Sequence, residues 1–376
     1  MKDQEPIAVC EPLIAGRELE YVTDAIKTGW ISSSGGYVDK FEKKFAEYLG
    51  VRHAVTTTSG TTALHLALVA AGVGPGDEVL IPAFTMVATA AAVCYTGAQP
   101  VLVETDPVSW NLDPADVARK LTPRSKAIIP VHVYGHSCDM DALARATAAQ
   151  PVTVIEDAAE AIGSEYKGRR CGALGDAACF SFFANKLITT GEGGMVVTDD
   201  SELDGRLRYF KNLCFPRKGP RRYLHEDIGF NYRMPNLLAA FGLGQLEQVD
   251  TYLANRRQNA KSYNELLRGQ RGVTTPPEAD YTLSSYWMYG ILIEDDFGLT
   301  RDEVVTALAA AKIETRPFFI SMHRQPALVE YGCDTSGQYP VTDALARKGL
   351  YLPSGSGLTQ AQIERVASTL LALRRD

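Results

Sequence analysis

Long apolar runs, paired cysteine motifs and an excess of positive charge are all missing from this sequence. No segment of about 18 uninterrupted apolar residues occurs, so the sequence predicts no transmembrane helix. The N-terminal stretch MKDQEPIAVCEPLI lacks the apolar core of a signal peptide. The seven cysteines are scattered without a CxxC pair, which is typical of reduced thiols. We therefore expect a cytoplasmic protein without membrane contact.

The charge balance argues against a general affinity for nucleic acid. The 376 residues carry a formal net charge of -7, which would repel a polyanion, although a local basic pocket is compatible with it. Hydrophobic residues make up 45% of the chain and charged residues 22%, an ordinary composition for a globular protein. A chain of this length should form one large domain and a smaller one, or two domains.

Signatures of several other enzyme classes are also missing. There is no GxSxG, no GxxxxGK[ST] loop, and TTGEGG does not fit GxGxxG. His132 and His136 are four residues apart in HVYGH, but the glycine and the preceding strand argue against a helical metal-binding pair. We expect both to be polar loop residues, and we expect no metal site.

Strand-like and helix-like segments alternate through most of the chain. Apolar strands such as DEVLIP, QPVLVETD and PVTVIEDAA are separated by helical patterns such as TTALHLALVAAGV. This alternation predicts an α/β fold with a mostly parallel sheet flanked by helices. The pattern changes near the long polar helix TYLANRRQNAKSYNELLRG. We therefore predict a large domain over residues 1–250 and a smaller C-terminal α+β domain over residues 251–376.

The turn Ser59-Gly60-Thr61 lies between a short strand and a helix. Free N–H groups and the positive end of the helix dipole make such a turn suitable for a phosphate. A plain helix cap would leave the same pattern, and on these residues alone the cap is favoured.

Asp157 is placed where the apolar strand PVTVIED ends, at the edge where ligands of such sheets bind. Its carboxylate could pair with a protonated ring nitrogen, and Glu160, one helical turn on, could face the same space. Alternatively, Glu156 and Asp157 cap the next helix. The residues alone leave these two interpretations evenly balanced.

Lys186 follows Ser181 in SFFANKLITTGEGG, an apolar segment that enters a glycine-rich turn. A desolvated lysine becomes a nucleophile that forms a Schiff base with a carbonyl. The neighbouring phenylalanines weaken the alternative, a surface lysine before a hairpin. Farther on, Asn231 and Arg233 precede an apolar helix that starts near Pro235, and packing alone would explain that segment.

In their order and spacing these segments resemble the DegT/DnrJ/StrS family of pyridoxal-phosphate-dependent sugar-nucleotide aminotransferases. The resemblance covers nearly the whole chain and includes SGT, PAFTMVATA, PVHVYG, EDAAEAIG, SFFANK with TTGEGG, and GFNYRM. It implies an aspartate aminotransferase-like α/β fold of type I, with a large cofactor-binding domain and a smaller C-terminal domain. It also implies an obligate homodimer with shared active sites.

The resemblance implies a role for each candidate residue toward pyridoxal 5'-phosphate. Lys186 would hold the cofactor as a Schiff base and then act as acid and base, with pyridoxamine 5'-phosphate as the aminated intermediate. Asp157 would pair with the pyridinium nitrogen, and Glu160, where the family often has glutamine, would lie near O3'. The other implied contacts are Ser59, Gly60, Thr61 and Ser181 to the phosphate, Phe84 to the ring face, and Asn231 to the phosphate of the second subunit.

The segment SFFANK also bears on the substrate. Family members with histidine in place of this lysine are dehydratases, so Lys186 indicates transamination. The SFFANK segment of this chain is similar to that of the 4-amino-sugar aminotransferases that form GDP-perosamine. The implied substrates are GDP-4-keto-6-deoxy-D-mannose and L-glutamate. Arg316 and His323 could approach the sugar, and the basic cluster Arg217, Lys218, Arg221 and Arg222 faces either the diphosphate or solvent.

Other substrates and one other class of function stay open at this point. A 3-keto sugar, a UDP- or dTDP-linked sugar, or a cyclitol ketone of an antibiotic pathway would need the same cofactor residues. A noncatalytic regulator on the same fold would not need Lys186, Asp157 and Ser181 to be intact, which argues against it.

Overall fold

A computed structural model describes residues 5–216 and 223–375. The elements up to residue 246 are α1 (Glu18–Thr28), α2 (Gly36–Leu49), β1 (His53–Thr57), α3 (Gly60–Ala70), β2 (Glu78–Pro82), α4 (Val87–Tyr95), β3 (Gln99–Val103), α5 (Pro114–Lys120), β4 (Ser125–Ile128), α6 (Met140–Ala146), β5 (Thr153–Asp157), β6 (Glu165–Tyr166), β7 (Arg169–Arg170), β8 (Ala177–Ser181), β9 (Gly194–Thr198), α7 (Ser201–Lys211) and α8 (Asn236–Leu246). A short 3-10 turn covers Val133–Gly135.

The remaining elements belong to the C-terminal part of the chain. They are α9 (Val249–Leu267), β10 (Val273–Thr274), β11 (Thr282–Leu283), β12 (Tyr289–Ile293), α10 (Arg301–Ala310), β13 (Arg316–Pro317), α11 (Pro326–Tyr331), α12 (Pro340–Lys348), β14 (Gly349–Leu352) and α13 (Gln360–Ala372). Two further 3-10 turns cover Asp295–Phe297 and Met322–Arg324.

The large sheet has seven strands in the order β1-β9-β8-β5-β4-β2-β3. The pairs β2–β3, β2–β4, β4–β5 and β5–β8 are parallel, and β9 runs antiparallel to both β8 and β1. Because β5 and β8 are parallel neighbours, their carboxyl ends lie at one edge of the sheet, with Asp157 opposite Cys179 and Ser181 two residues farther on. This edge is where ligands of open α/β sheets bind.

Both faces of the sheet are buried. Along β8, Ala177 and Cys179 contribute to one hydrophobic cluster, whereas Ala178 and Phe180 contribute to another. This alternation follows from the two-residue period of a strand and explains why the central strands are apolar throughout. The mostly parallel α/β fold predicted from the sequence is confirmed.

A second sheet is formed by the C-terminal part of the chain. Its strands run in the order β10-β12-β14-β13, all antiparallel, and a separate apolar cluster lies between this sheet and helices α9, α10 and α13. The predicted boundary at 250/251 falls in the first turn of α9, and the division into two domains stays a prediction. Phe318 and Tyr351 extend from the second sheet into the core beside the large sheet.

His132 and His136 lie in a loop, as the sequence predicts, and the structure adds that both are buried. Both follow β4 in a loop, but they are only 0% and 4% exposed. The Nε2 of His132 lies 2.8 Å from Glu156 Oε2, and its Nδ1 accepts the N–H of Cys138 at 3.1 Å. Since Nδ1 accepts this N–H, Nε2 carries the hydrogen that is donated to Glu156. These contacts come from distant segments, which the local sequence HVYGH does not reveal.

Two absences apply to the described residues. Within 5–216 and 223–375, no group of three or more histidine, cysteine, aspartate or glutamate side chains is placed to hold a metal ion. In the same ranges no helix has both the length and the apolar character needed to cross a membrane.

Candidate active site

Lys186 lies beside the carboxyl ends of β5 and β8. Its side chain is 11% exposed, and Nζ lies 4.0 Å from Glu160 Oε1 and 3.7 Å from the ring centroid of Trp287. The indole N–H of Trp287 donates to the carbonyl of Asn185 at 2.7 Å, so the ring is fixed against the turn that carries the lysine. The lysine is therefore held between a carboxyl group and an aromatic face.

Burial shifts the ionisation equilibrium of the lysine toward the uncharged amine. Burial lowers the pKa of Lys186, and the charges of Glu160 and Asp157 oppose that change only in part. Burial also raises the pKa of Glu160 to about 7, against the effects of Lys186 and of the Tyr134 N–H. A lysine with a lowered pKa has a larger fraction of uncharged amine near neutral pH, and the uncharged amine is the form that attacks a carbonyl.

Asp157 is the buried terminal residue of β5, with 5% exposure. Its Oδ2 accepts the hydroxyl of Thr89 at 2.8 Å and its Oδ1 accepts the N–H of Ala159 at 3.2 Å. Burial raises the pKa of Asp157, while these two hydrogen bonds and Lys186 favour the ionised form. A buried carboxylate that is ionised is stabilised by a cationic partner, such as a protonated ring nitrogen.

The start of α3 packs directly on the end of β8. A Cβ added at Gly60 would lie 2.8 Å from Ser181 Cβ and 3.2 Å from Ser181 Oγ. Ser59 caps the helix: its Oγ accepts the N–H of Thr62 at 3.2 Å and its carbonyl accepts the N–H of Ala63 at 3.0 Å. The described helix end thus retains the N–H groups of Gly60 and Thr61 as free donors beside the Ser181 hydroxyl.

Phe84 is fully buried in an aromatic cluster beside this site. Its ring centroid lies 6.0 Å from Tyr134, 5.7 Å from Phe318 and 5.8 Å from Phe319. The C-terminal part of the chain is attached here, because Met322 N–H donates to the carbonyl of Ala83 at 2.8 Å. The stacking of Phe84 on a cofactor ring stays a prediction.

Arg316 is the first residue of the edge strand β13 of the second sheet, and His323 lies in the 3-10 turn Met322–Arg324 that follows it. Arg316 is half exposed, forms an ion pair of 3.2 Å with Glu314 and is the strand partner of Tyr351. The Nε2 of His323 lies 3.2 Å from Asp343 Oδ1, and its Nδ1 is buried without a hydrogen-bond partner among the described residues. Their contact with a sugar stays a prediction.

Asn231 is separate from this group. It is exposed, and its backbone forms an antiparallel bridge with Asn212. Among the described contacts, none joins its side chain to Ser59, Gly60 or Ser181. The predicted role in a second subunit is not tested within one chain. The basic cluster Arg217, Lys218, Arg221 and Arg222 lies outside the described residues.

Two side chains and one backbone N–H group near Lys186, Asp157 and Glu160 are not predicted from the sequence. Trp287 contacts Lys186 from 101 positions farther along the chain, Thr89 binds Asp157 from α4, and the Tyr134 N–H binds Glu160 at 2.8 Å. Thr89 lies within PAFTMVATA and Tyr134 within PVHVYG, two segments that carry the family resemblance without assigning a role to either residue. No local signal pointed to Trp287.

The described side chains fit pyridoxal 5'-phosphate as a group. A buried amine is available for its aldehyde, a buried carboxylate for its ring nitrogen, and two free N–H groups with a hydroxyl for its phosphate. Gly60 is needed at the phosphate position because a Cβ there would fill the space against Ser181. Each charged or reactive part of that molecule thus has a counterpart of suitable chemistry.

Comparison with known proteins gives concordant results. Residues 12–371 match the model of the DegT/DnrJ/EryC1/StrS aminotransferase family. The GDP-perosamine synthase of Caulobacter vibrioides is 46% identical over 371 residues, covering 98% of this chain and 99% of the relative. The Escherichia coli O157:H7 GDP-perosamine synthase is 42% identical over 364 residues, covering 97% of each. The solved structure of S. venezuelae DesV in complex with a ketimine intermediate superimposes with a TM-score of 0.89 at 36% identity, covering 96% of this chain and 95% of that one.

Proposed function

The chain belongs to the DegT/DnrJ/EryC1/StrS aminotransferase family, and from that premise we propose that it converts GDP-4-keto-6-deoxy-D-mannose to GDP-perosamine. L-Glutamate is the amino donor and pyridoxal 5'-phosphate the cofactor. The substrate is proposed because relatives named GDP-perosamine synthase are up to 46% identical over almost the whole chain. The observation that carries the proposed chemistry is the buried Lys186 amine facing Glu160 and Asp157.

Pyridoxal 5'-phosphate, when bound, supplies an aldehyde that takes up the amino group and a ring that withdraws electrons from the reacting carbon. Lys186 would hold the aldehyde carbon, and its amine would move a proton at the carbon that gains or loses nitrogen. Asp157 keeps the ring nitrogen protonated, because a carboxylate fixed by Thr89 and Ala159 favours a cation beside it.

The phosphate is bound by the start of α3 and by β8. The Gly60 and Thr61 N–H groups donate to it, assisted by the helix dipole, and the Ser181 hydroxyl donates from the opposite side. Ser59 acts indirectly, since its side chain is engaged in capping Thr62. Phe84 limits the space over the ring, and Arg316 and His323 contact the nucleotide sugar.

A homodimer is part of the proposal. Several large apolar side chains are exposed in the single chain, including Leu19 (79%), Trp30 (59%) and Ile228 (89%). Burying them against a second copy removes apolar surface from water, and the exposed Asn231 lies three residues after Ile228. Sedimentation equilibrium should give twice the 40.9 kDa of the chain.

The cytoplasm is the proposed compartment. All seven cysteines are free thiols in the structure, as is typical of proteins in a reducing environment.

The proposal is tested by turnover with defined substrates. The purified protein is incubated with pyridoxal 5'-phosphate, L-glutamate and GDP-4-keto-6-deoxy-D-mannose, and the nucleotide sugars are identified by mass spectrometry and NMR. We expect a 4-amino sugar from the native protein, none from Lys186→Ala, and native turnover from Lys44→Ala, whose side chain is exposed on α2. Amination of only a UDP- or dTDP-linked sugar would support the aminotransferase activity but contradict the proposed GDP-linked substrate.

A further inference from the structure

The two oxygens of Glu160 have different surroundings. Oε2 accepts the backbone N–H of Tyr134 at 2.8 Å, whereas Oε1 faces Lys186 Nζ at 4.0 Å. An oxygen that already accepts an N–H is the poorer place for a proton, because the two hydrogens would face each other. When Glu160 is protonated, the proton therefore resides on Oε1, directed at the lysine.

The turn that fixes Oε2 is itself constrained. Tyr134 has a φ of 54° and Gly135 a φ of 98°, in the left-handed region that disfavours a bulky side chain. A Cβ at Gly135 would lie 2.5 Å from Ser285 Oγ and 3.0 Å from the N of Trp287. Strained backbone of this kind persists where the surrounding packing holds it, and it is concentrated at functional sites. Here it directs an N–H at the carboxyl group beside Lys186.

We propose that Glu160 is the proton-holding partner of Lys186, so that one proton is exchanged between Glu160 Oε1 and Lys186 Nζ within the site. In one state the carboxyl is protonated and the amine is neutral; in the other the carboxylate is ionised and the amine is an ammonium. The O–H bond breaks as the N–H bond forms, and no proton goes to solvent. The 4.0 Å gap is closed by rotation of the flexible lysine stem.

The surroundings favour exchange within the pair. Glu160 is 5% exposed and the Lys186 side chain 11%, and the Trp287 ring covers the amine, so bulk water has little access. Burial moves the pKa of Glu160 up to about 7 and the pKa of Lys186 down, so the difference between the two pKa values, and with it the free-energy cost of moving a proton between the groups, becomes smaller.

Other titratable groups also surround Glu160 and Lys186. Asp157 adds a negative charge held by Thr89 and Ala159, and Cys10 lies on the lysine side. Burial raises the pKa of Tyr351 to about 12 and that of Tyr134 well above its usual value, so both hydroxyls stay neutral near pH 7. Glu160, with a pKa raised to about 7, is thus a neighbour of Lys186 whose protonation changes near neutral pH.

The inference rests on the proposed role of Lys186 as the cofactor-binding amine, but its test needs neither cofactor nor sugar. Cofactor-free protein is labelled with trace acetic anhydride between pH 5 and 10, and acetylation of the Lys186 peptide is measured by mass spectrometry against exposed Lys44. We expect the native Lys186 curve to be shallower than a one-proton titration, since two coupled groups ionise across it.

Glu160→Gln removes the negative charge and keeps an oxygen for the Tyr134 N–H. We expect an ordinary one-proton curve displaced at least one pH unit toward acid, so that Lys186 labels about tenfold faster at pH 7. The control Glu192→Gln makes the same charge change on the exposed turn after Lys186 and should match the native protein. A native curve of one-proton shape would overturn the inference without any variant, as would coincident curves for native protein and Glu160→Gln. Failure to aminate the GDP sugar would leave these curves unchanged.

Discussion

The contact between Gly60 and Ser181 gives the most sharply defined mutational prediction. In Gly60→Ala the new methyl group would lie 2.8 Å from Ser181 Cβ and 3.3 Å from Ser181 Cα. These atoms belong to the end of β8 and cannot rotate away, so α3 must move by about 0.7 Å to reach ordinary carbon–carbon contact. Overpacking of this type costs about 1–3 kcal/mol, offset by roughly 0.5–1 kcal/mol because alanine favours a helix more than glycine does.

The same displacement moves the proposed phosphate donors apart. The Gly60 N–H and the Ser181 hydroxyl lie on the two sides of the contact, and a hydrogen bond to a charged group contributes about 1.5–3 kcal/mol. We therefore expect the apparent dissociation constant for pyridoxal 5'-phosphate to rise at least about tenfold. Urea unfolding of the cofactor-free protein and an absorbance titration with the cofactor measure the two effects separately.

Gly36→Ala is the matched control. Gly36 is the first residue of α2, and a Cβ there would meet nothing within 4 Å. Its stability should be unchanged or slightly higher, and its cofactor affinity should be native. If Gly60→Ala lost stability but bound the cofactor normally, the phosphate would not lie between α3 and β8. If it lost neither, the packing argument would be wrong.

Three further outcomes are expected. Thr89→Val removes the 2.8 Å hydrogen bond that favours ionised Asp157, so the pKa of Asp157 should rise. Cofactor affinity is titrated from pH 5.5 to 8 and should fall most at the acidic end. Equal losses of affinity at every pH would refute the role of Thr89. Lys186→Ala should keep the native far-ultraviolet circular dichroism and lose the absorbance band of covalently bound cofactor, and persistence of the band would exclude Lys186. In cofactor-free protein the pKa of Glu160 is raised from 4.5 in the unfolded chain to about 7 in the folded protein. The stabilisation from Glu160 is therefore fully present below pH 4.5 and is lost as the pH rises through 7, which lowers the free energy of unfolding by roughly 3 kcal/mol. Urea unfolding of Glu160→Gln should lack this loss, and a pH profile parallel to that of the native protein would contradict the expectation.

The architecture could be predicted from the sequence because the patterns that mark strands and helix starts are local. Strands such as PVTVIEDAA are buried on both faces and therefore read as continuous apolar runs, and the capping residue Ser59 marks the start of α3. Asp157 is predicted at a strand end, whereas Ser181 is predicted only to lie on an apolar segment that enters a glycine-rich turn; in the structure Ser181 ends β8. The sequence alone did not reveal that β5 and β8 are parallel neighbours, which is what brings the two residues to one edge.

The contacts that give the site its chemistry are distant in sequence. Thr89 reaches Asp157 across 68 positions, and Trp287 covers Lys186 from the C-terminal part of the chain. Periodicity and capping rules carry no information about such pairs, so the pKa changes of Lys186 and Glu160 could be derived only from the structure. For the same reason the sequence predicts that His132 is a polar loop residue but does not reveal its contact with Glu156 in the core.

Reductive trapping tests the central claim most directly. The protein is loaded with pyridoxal 5'-phosphate and reduced with sodium borohydride, which converts a lysine-bound imine to a stable amine, and the peptides are sequenced by mass spectrometry. The account predicts one modified residue, Lys186, and loss of the label when L-glutamate is added before reduction. A label on another lysine, or a Lys186 label that L-glutamate does not remove, would contradict it.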